Sequence, residues 1–393
     1  MWRQRSGGGD ASGGPLDCDI LIAGGGPVGA TLALALRGAG LDVVLAEPAA
    51  NPPPAFRPIA LSHGSRQVLE RVGVFAQFPV TPIETIHVSQ AGGFGRTLIR
   101  REDHGLPALG YVCDAAALAS ALASASAPER VPAHVTSWRI DGDRVRVSLA
   151  AGDSAREATA RLLVLADGGQ IAGDDLAMRD YGQTAIVARV RTEIVQPGTA
   201  WERFTDEGPL ALLPDAEASY ALVWTVGRSH AARLLDAGGE RFLAALGARF
   251  GHRLGRFIHA GPRSSFPLRL AYRRSNVAGP RVVAVGNAAQ TLHPVAGQGL
   301  NLGLRDATEL AALARRAGSA SLGDDAFLAA YRDRRRLDRF AAIRVTDFLG
   351  EIFTSRSPAV RYARGLGLLA LDSLPPARRL LARRMMLGAR GVP

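Results

Sequence analysis

The segment from Val285 to Asp306 concentrates residue types that can line a ligand with backbone alone. An apolar strand, Arg281 to Val285, runs into Gly286-Asn287. A His293-Pro294 turn follows, then Gly297-Gln298-Gly299-Leu300-Asn301 and a run of helix formers. Glycine lets a backbone come very close to a flat ligand. A helix starting near Asn301 would aim its free N–H groups and positive dipole end at that ligand. A ligand that becomes negative during its reaction suits such a site, and a reduced flavin ring is one.

A second glycine loop stands near the front of the chain. Cys18 to Ala23 reads as a buried strand, and Gly24-Gly25-Gly26-Pro27-Val28-Gly29 follows it directly. Thr31 to Arg37 reads as helix, and a second strand, Leu41 to Ala46, ends in Glu47. Gly24 suits a tight turn, Gly26 the approach of a pyrophosphate to the backbone, and Gly29 close packing of helix on strand. Glu47 sits where a carboxylate can bind both hydroxyls of an adenosine ribose. A G-x-G-x-x-G alone is a weak signal, and a glycine-rich structural turn is the alternative. Strand, helix, second strand and terminal acid in order point to a dinucleotide. Gly365-Leu366-Gly367-Leu368-Leu369-Ala370 also fits G-x-G-x-x-A, but no strand precedes it and it is not read as a nucleotide site.

No other constellation claims a reaction. There is no Ser-His-Asp order and no metal-ligand spacing. His293 invites a role as base, against a structural role beside the ligand. Tyr181, Trp201 and Tyr220 could line a substrate pocket or fill a core. No general base is assigned, so the catalytic side chains stay unknown at this level.

The elements that must hold these loops fit a chain of 393 residues with 47% hydrophobic content, enough for two domains or one large domain with a lobe. Strand-like runs at Ile83 to Val88, Ala185 to Val190 and Tyr220 to Val226 alternate as half-buried antiparallel strands do, and Ala115 to Ser124 is helical. The net charge is +11 and every basic residue is Arg. A GC-rich coding sequence accounts for that bias, though the charge also favours anionic surfaces. No zinc-finger spacing, RNA-binding aromatic motif or basic heptad region is present, so nucleic acid is not an expected partner. Cys18 and Cys113 are too few for a disulfide framework, and a reducing cytoplasm is expected. Residues 1–16 read as a disordered leader. The uncharged run Ile20 to Leu36 is broken by Gly24-Gly25-Gly26-Pro27, so no transmembrane segment is read.

Three separated motifs can now be taken together: the front loop, the strand Leu162 to Ala166 ending in Asp167-Gly168, and the Gly286-to-Asp306 segment. The trio resembles the class A FAD-dependent aromatic hydroxylases, the group of p-hydroxybenzoate hydroxylase, and more closely the ubiquinone-biosynthesis hydroxylases. Gly286-Asn-Ala-Ala-Gln-Thr-Leu-His-Pro294 looks most like the 2-polyprenyl-6-methoxyphenol hydroxylases. Arg57-Pro-Ile-Ala-Leu61, Trp201-Glu-Arg-Phe-Thr205 and Gly208-Pro-Leu-Ala-Leu-Leu-Pro214 are similar to the same family, over roughly residues 17 to 390. Asn287 stands where wider relatives carry Asp. Gly169-Gln170-Ile171 and Ala116 stand where Ser, Arg and a further Arg are common.

The resemblance implies an α/β fold: a Rossmann-like FAD-binding domain of the p-hydroxybenzoate hydroxylase type, an inserted antiparallel-sheet substrate lobe and a C-terminal helical tail. Gly24, Gly26, Pro27, Val28, Gly29 and Glu47 would hold the ADP half of FAD. Arg57 would lie near the flavin or its pyrophosphate, and Asp167 and Gly168 would support FAD and the nicotinamide path. Gly286 and Asn287 would meet the ribityl chain or a phosphate, and Pro294 would face the ring. Gly297, Gln298, Gly299, Leu300 and Asn301 would receive its N1–C2=O edge. The implied chemistry is reduction of FAD by NAD(P)H, the transient co-substrate, then O2 addition to give a hydroperoxide, whose distal oxygen attacks a polyprenyl-phenol. The alternatives are a small soluble phenol, or a non-catalytic FAD-binding subunit of a ubiquinone-synthesis complex.

The expected division gives residues 17–78, 105–175 and 268–345 to the FAD-binding domain, 79–104 and 176–267 to the substrate lobe, and 346–393 to a basic helical tail. From Ser355 to Pro393 the tail holds eight Arg and a single acid, Asp372. It reads either as helix packed on the flavin domain or as a contact for anionic lipid. Expected partners are the polyprenyl-phenol, a ubiquinone-biosynthesis enzyme complex and an anionic membrane surface. The expected location is the cytoplasm, with a peripheral position on the inner face of the cytoplasmic membrane as an extension of that reading.

Overall fold

The structure, a computed structural model, describes residues 16–48, 56–125, 129–152, 154–169, 176–216, 218–293, 297–355 and 357–388. The leader expected at 1–16 therefore lies outside the described residues except for Leu16, as do Pro294, Gln170 and Ile171.

Long aliphatic runs form a parallel sheet in the order Val282–Ala284, Ser154–Leu165, Leu16–Ala23, Val43–Ala46, Glu129–Val131. Apart from the exposed ends at Ser154–Glu157 and Glu129–Arg130, its strands are largely buried on both faces, as a covered parallel sheet requires. Ile20, Ile22, Leu162 and Val164 pack with Leu32, Leu310 and Ala314 of two helices, Pro27–Ala35 and Gln298–Ala317. The alternate residues Leu21, Ala23, Leu163 and Leu165 pack with Val145, Val147 and Leu149, from an antiparallel meander, His134–Asp141 and Arg144–Ala151, that joins Ser154–Leu165. The carboxyl ends of the parallel strands carry both glycine loops, the place where open α/β sheets bind ligands.

A second, nine-stranded sheet runs Gln290–Thr291, Ser264–Arg273, Leu176–Thr192, Ser219–Gly227, Gly208–Asp215, Thr199–Thr205, Thr85–Gln90, Arg96–Arg100, with Phe257–Ala260 also paired to Leu176–Thr192. It is antiparallel except where Thr85–Gln90 lies parallel to Thr199–Thr205. Two helices, Arg228–Asp236 and Gly239–Phe250, cover one face, where Trp201, Leu212, Leu222 and Trp224 meet Phe242 and Leu246. The other face looks toward the glycine loops. A three-stranded sheet of Pro58–Ser62, Gly110–Asp114 and Thr81–Ile83 sits between the two large ones.

Three helices finish the chain: Asp325–Thr354, Pro358–Ser373 and Pro375–Leu387. The second is held on the edge strand Arg96–Arg100: Thr97 Oγ1 donates to Leu368 O at 2.7 Å, and Leu98 N to Asp372 Oδ1 at 3.0 Å. The third buries Ala382 and Met386 against Ile99 and Leu109.

Several element boundaries differ from those read in the sequence. The second parallel strand begins at Val43 rather than Leu41. Arg281, expected in a strand, has a φ of +58° and reaches Arg161 O and Leu322 O with its guanidinium, so that strand starts at Val282. The run Ile83 to Val88 splits between two sheets, Thr81–Ile83 in one and Thr85–Gln90 in the other.

Candidate functional site

The front loop is shaped by what its glycines lack. Gly24 has φ +108°, and a Cβ there would lie 2.5 Å from Ala166 O. A Cβ on Gly29 would fall 1.9 Å from Gly24 O. Both positions exclude any side chain, because backbone cannot move aside cheaply. A Cβ on Gly26, by contrast, would meet nothing within 4 Å. That glycine leaves open space against the first turn of Pro27–Ala35, whose cap makes no side-chain hydrogen bond, so its amides remain for a ligand. Glu47 accepts a hydrogen bond from Gly25 N–H and is thereby fixed beside the loop.

The second loop enters its helix three residues earlier than the sequence suggested. Gly297 takes φ +60° as the cap, and Gln298 is the first helical residue of a 20-residue helix. The free amides are therefore those of the Gln298-Gly299-Leu300 turn. The Asn301 side chain is fully committed within the protein. Its Oδ1 accepts from Ser62 N (2.8 Å) and Ser65 Oγ (2.6 Å), and its Nδ2 donates to Ala60 O (2.9 Å) and Gly297 O (2.7 Å). It ties the strand Pro58–Ser62 to the second loop.

The loops meet at Val28. Its side chain would be struck by a Cβ on Gly286 (2.9 Å) or on Gly303 (2.7 Å). Gly303 was not singled out in the sequence; its spacing of four from Gly299 on one helix face was the available signal. Behind them lies a buried charge network that sequence reading also missed. Asp306 Oδ2 accepts from Gly286 N (3.1 Å) and Gln290 Nε2 (2.7 Å), and its Oδ1 from Arg335 Nε (2.7 Å). Arg335 and Arg305 both reach Asp338 Oδ2, at 3.0 and 2.8 Å, and Arg339 Nε reaches Gln290 Oε1 at 2.7 Å. Burial lowers the affinity of Arg335 for its proton, but the carboxylates of Asp306 and Asp338 outweigh it, and the guanidinium stays charged more firmly than usual.

One cavity of about 1710 Å³ joins the loops to the second sheet. Typical small-molecule pockets hold about 300–1,000 Å³, so there is room for more than one such ligand. Gly24, Gly26, Pro27, Val28, Glu47, Arg57, Asp167, Gly168, Asn287, Gly297, Gln298, Gly299, Leu300 and Asn301 all border it. Gly29 and Gly286 do not; they act one layer behind, by allowing close packing. Pro294 lies outside the described residues. At the far end the wall is mostly apolar, from Val88, Ala211, Val223 and Phe266 of the sheet, Leu349 of a helix, and Leu368, Leu371 and Met385 of the tail. The Arg57 guanidinium lies over the Phe266 ring, 5.1 Å from its centroid, at the junction of the two halves.

His293 is 1% exposed, lies 3.2 Å from Gln183 Oε1 through Nε2 and meets the Tyr181 ring edge-on. Burial pulls its pKa down to about 4, and it does not border the cavity. Tyr220 is buried and its hydroxyl accepts from Gln196 N at 2.9 Å, while Trp201 borders the cavity. Cys18 and Cys113 are buried free thiols, both pushed up by burial, Cys113 to about 12. Among the described residues no helix is long and apolar enough to cross a membrane.

The site fits a flavin dinucleotide on structural grounds: an open space at Gly26, a fixed carboxylate at the end of the second strand, and uncapped helix amides at the second loop. Residues 17–346 match the FAD binding domain family. The chain is 36% identical over 390 residues to the ubiquinone hydroxylase UbiL of Rhodospirillum rubrum, covering 94% of this chain and 89% of that protein. It is 31% identical to the 3-demethoxyubiquinol 3-hydroxylase of Escherichia coli, over 90% of this chain and 94% of the relative. The fold is similar to that of p-nitrophenol 4-monooxygenase PnpA from Pseudomonas putida, with a TM-score of 0.74 at 17% identity, covering 96% and 100% of the two chains. The chain belongs to the FAD binding domain family, among the class A flavin hydroxylases that include those of ubiquinone biosynthesis.

Proposed function

We propose that this protein is an FAD-dependent monooxygenase that uses NAD(P)H and O2 to hydroxylate the ring of a prenylated phenol on the way to ubiquinone. The observation that carries this reading is one continuous cavity, with nucleotide-binding geometry at one end and a deep, mostly apolar chamber at the other. Bound FAD supplies the redox chemistry and the activation of oxygen; the protein supplies position, dryness and charge.

The Gly24-to-Gly29 loop and the first turn of Pro27–Ala35 would hold the pyrophosphate, and Glu47 would hold the ribose hydroxyls. Arg57 is poised between cofactor and substrate ends, and Asp167, Gly168 and Asn287 line the approach from the side. The Gln298-Gly299-Leu300 amides would hold the pyrimidine edge of the ring, where a positive helix end would stabilise negative charge. Val88, Ala211, Val223 and Phe266 keep water from the substrate ring, which strengthens those interactions. Tail residues Leu368, Leu371 and Met385 extend the chamber in a direction suited to an isoprenoid chain.

The substrate is taken from a membrane in this reading. The helix Pro358–Ser373 is apolar on both sides: Gly365 and Leu368 are buried, while Tyr362, Leu366 and Leu369 are exposed. Leu380 of the next helix is also exposed, flanked by exposed Arg379 and Arg383. An apolar face edged by arginines suits the surface of an anionic bilayer, consistent with a peripheral position on the inner face of the cytoplasmic membrane.

The test is direct. Purified protein is expected to be yellow, to oxidise NAD(P)H faster when a prenylated phenol is added, and to release the ring-hydroxylated product with O2 consumed. Colourless protein that cannot take up FAD, or yellow protein whose NAD(P)H oxidation ignores every phenol, would overturn the reading.

A further inference from the structure

The cavity wall opposite the glycine loops is one face of the nine-stranded sheet, and a single row of residues crosses it. Val88 pairs with Glu202, Glu202 with Ala211, Ala211 with Val223, and Val223 with Val187. All five border the cavity and four are aliphatic. Among the described residues, Glu202 is the only ionisable side chain that this sheet presents there. Strand alternation sends Arg203 to the opposite face, where it donates to Arg249 O at 3.2 Å and Ser89 Oγ at 3.3 Å.

Glu202 has no hydrogen-bond or ion-pair partner among the described residues, in contrast to the other acids that border the cavity. Glu47 accepts from Gly25 N–H, and Asp167 from Gly169 N–H at 3.2 Å. An unpartnered carboxyl in an apolar chamber is costly, and withdrawal from water pushes its pKa up to about 7. Of the remaining charged or titratable groups around the cavity, Arg130 and His134 come from the flavin side, and Arg57 stands at the junction, over Phe266. On the helix Asp325–Thr354, which packs Leu349 and Ile352 on Phe204, Asp347 and Glu351 are held by Arg179. On the neighbouring strand, His87 points away from the cavity, toward Trp201 and Arg253.

We propose that Glu202 receives the hydroxyl proton of the phenolic substrate and so orients and activates its ring; this rests on the reading of the chain as a phenol hydroxylase. In the step, the phenol O–H bond breaks, the proton passes to a Glu202 carboxylate oxygen, and the electron pair stays on the ring oxygen. Nothing is oxidised or reduced in that transfer. The phenolate is the better donor of ring electrons, and the proton returns to the ring oxygen when product leaves. Raising the carboxyl from its ordinary 4.5 to about 7 makes it a proton acceptor about 300-fold stronger. The apolar neighbours that raise it also shield the transfer from water.

The experiment compares the FAD-loaded wild type with Glu202→Gln and Glu202→Asp. Three quantities are measured: flavin content, hydroxylated product across pH, and binding of a prenylated 2-methoxyphenol against its O-methyl ether, read as perturbation of the flavin absorbance. Glu202→Gln is expected to keep its flavin and to form product about 100-fold more slowly. It should also lose the ionisation near pH 7 and lose the preference for the phenol over its ether. Glu202→Asp is expected to retain that ionisation and part of the rate. Glu202→Gln with full flavin and an unchanged pH profile or phenol preference would overturn the assignment, and so would loss of flavin, which would mark a structural role. A wild type that binds FAD but hydroxylates no phenol would fail the parent reading itself, before either variant is compared.

Discussion

Asp306→Asn probes the network behind the two loops with an almost isosteric change. Asp306 serves two sides at once, taking Gly286 N–H and the Gln290 amide on one oxygen and the Arg335 guanidinium on the other. Asn offers one acceptor and one donor group. If its oxygen faces Arg335, its NH2 confronts two donors; if it faces Gly286, its NH2 confronts a buried cation. Arg335 is 3% exposed, so water cannot substitute. Breaking a buried ion pair on one side costs about 3–5 kcal/mol. Asp338 still compensates Arg335, which places the expected loss near the lower end, about 3 kcal/mol, or about 100-fold in the folding equilibrium. Urea denaturation of the FAD-free proteins reads this as a shift in midpoint, because ligand-linked stabilisation then contributes to neither protein. Adding Arg335→Gln to Asp306→Asn removes the stranded cation and should recover about half of the loss, a coupling expected only of groups in contact. A loss below about 1 kcal/mol, or strict additivity in the double variant, would show that the network does not hold the Gly286 turn as argued.

Other consequences can be measured with less. Gly29→Ala puts a Cβ 1.9 Å from Gly24 O, so the variant should be recovered colourless or unfolded, whereas Gly26→Ala, with open space, should fold and bind FAD more weakly; flavin absorbance per protein separates them. Burial and the nearby Arg253 pull His87 down to about 4 from an ordinary 6.5. Its contribution is complete above pH 6.5 and is lost as pH falls toward 4, where the unfolded chain takes the proton first, by up to about 3 kcal/mol. His87→Gln, which can still accept from Arg253, should flatten the fall of denaturation midpoint over that window; an identical pH slope would refute the assignment. Leu366→Glu with Leu369→Glu should weaken flotation with anionic liposomes about tenfold while leaving flavin content unchanged. Deleting residues 355–393 would be a poor substitute, because Leu368, Ala382 and Met386 are part of the core and the cavity wall. Liposome binding unaltered by the two glutamates would move the membrane contact elsewhere.

Local physics made much of this protein readable from its chain. The front loop announced itself because strand, glycine spacing, helix and Glu47 follow one another within about thirty residues, and each requirement is met by a neighbour in sequence. The helix Ala115–Ser124 and the alternation around Tyr220 were legible for the same reason. Asn301 was placed beside the site, and the partners of its side chain went unread, since Ser62 and Ser65 stand more than 230 positions away in sequence. Asp306 looked like the end of a motif until Arg335 was brought to it from another helix. Glu202 lay unnoticed within Trp201-Glu-Arg-Phe-Thr205, where alternation says only that it faces opposite to Arg203. Which face meets the cavity depends on two helices covering the other side. The tail was read either as helix packed on the flavin domain or as a lipid contact, and only packing showed that it walls the apolar end of the cavity. Sequence by itself determined the two glycine loops, because glycine geometry and helix ends act over a few residues. Tertiary structure alone decided how charges pair, which carboxyl goes unpaired and what closes the apolar chamber, because those depend on groups that only folding brings within a few ångströms of one another.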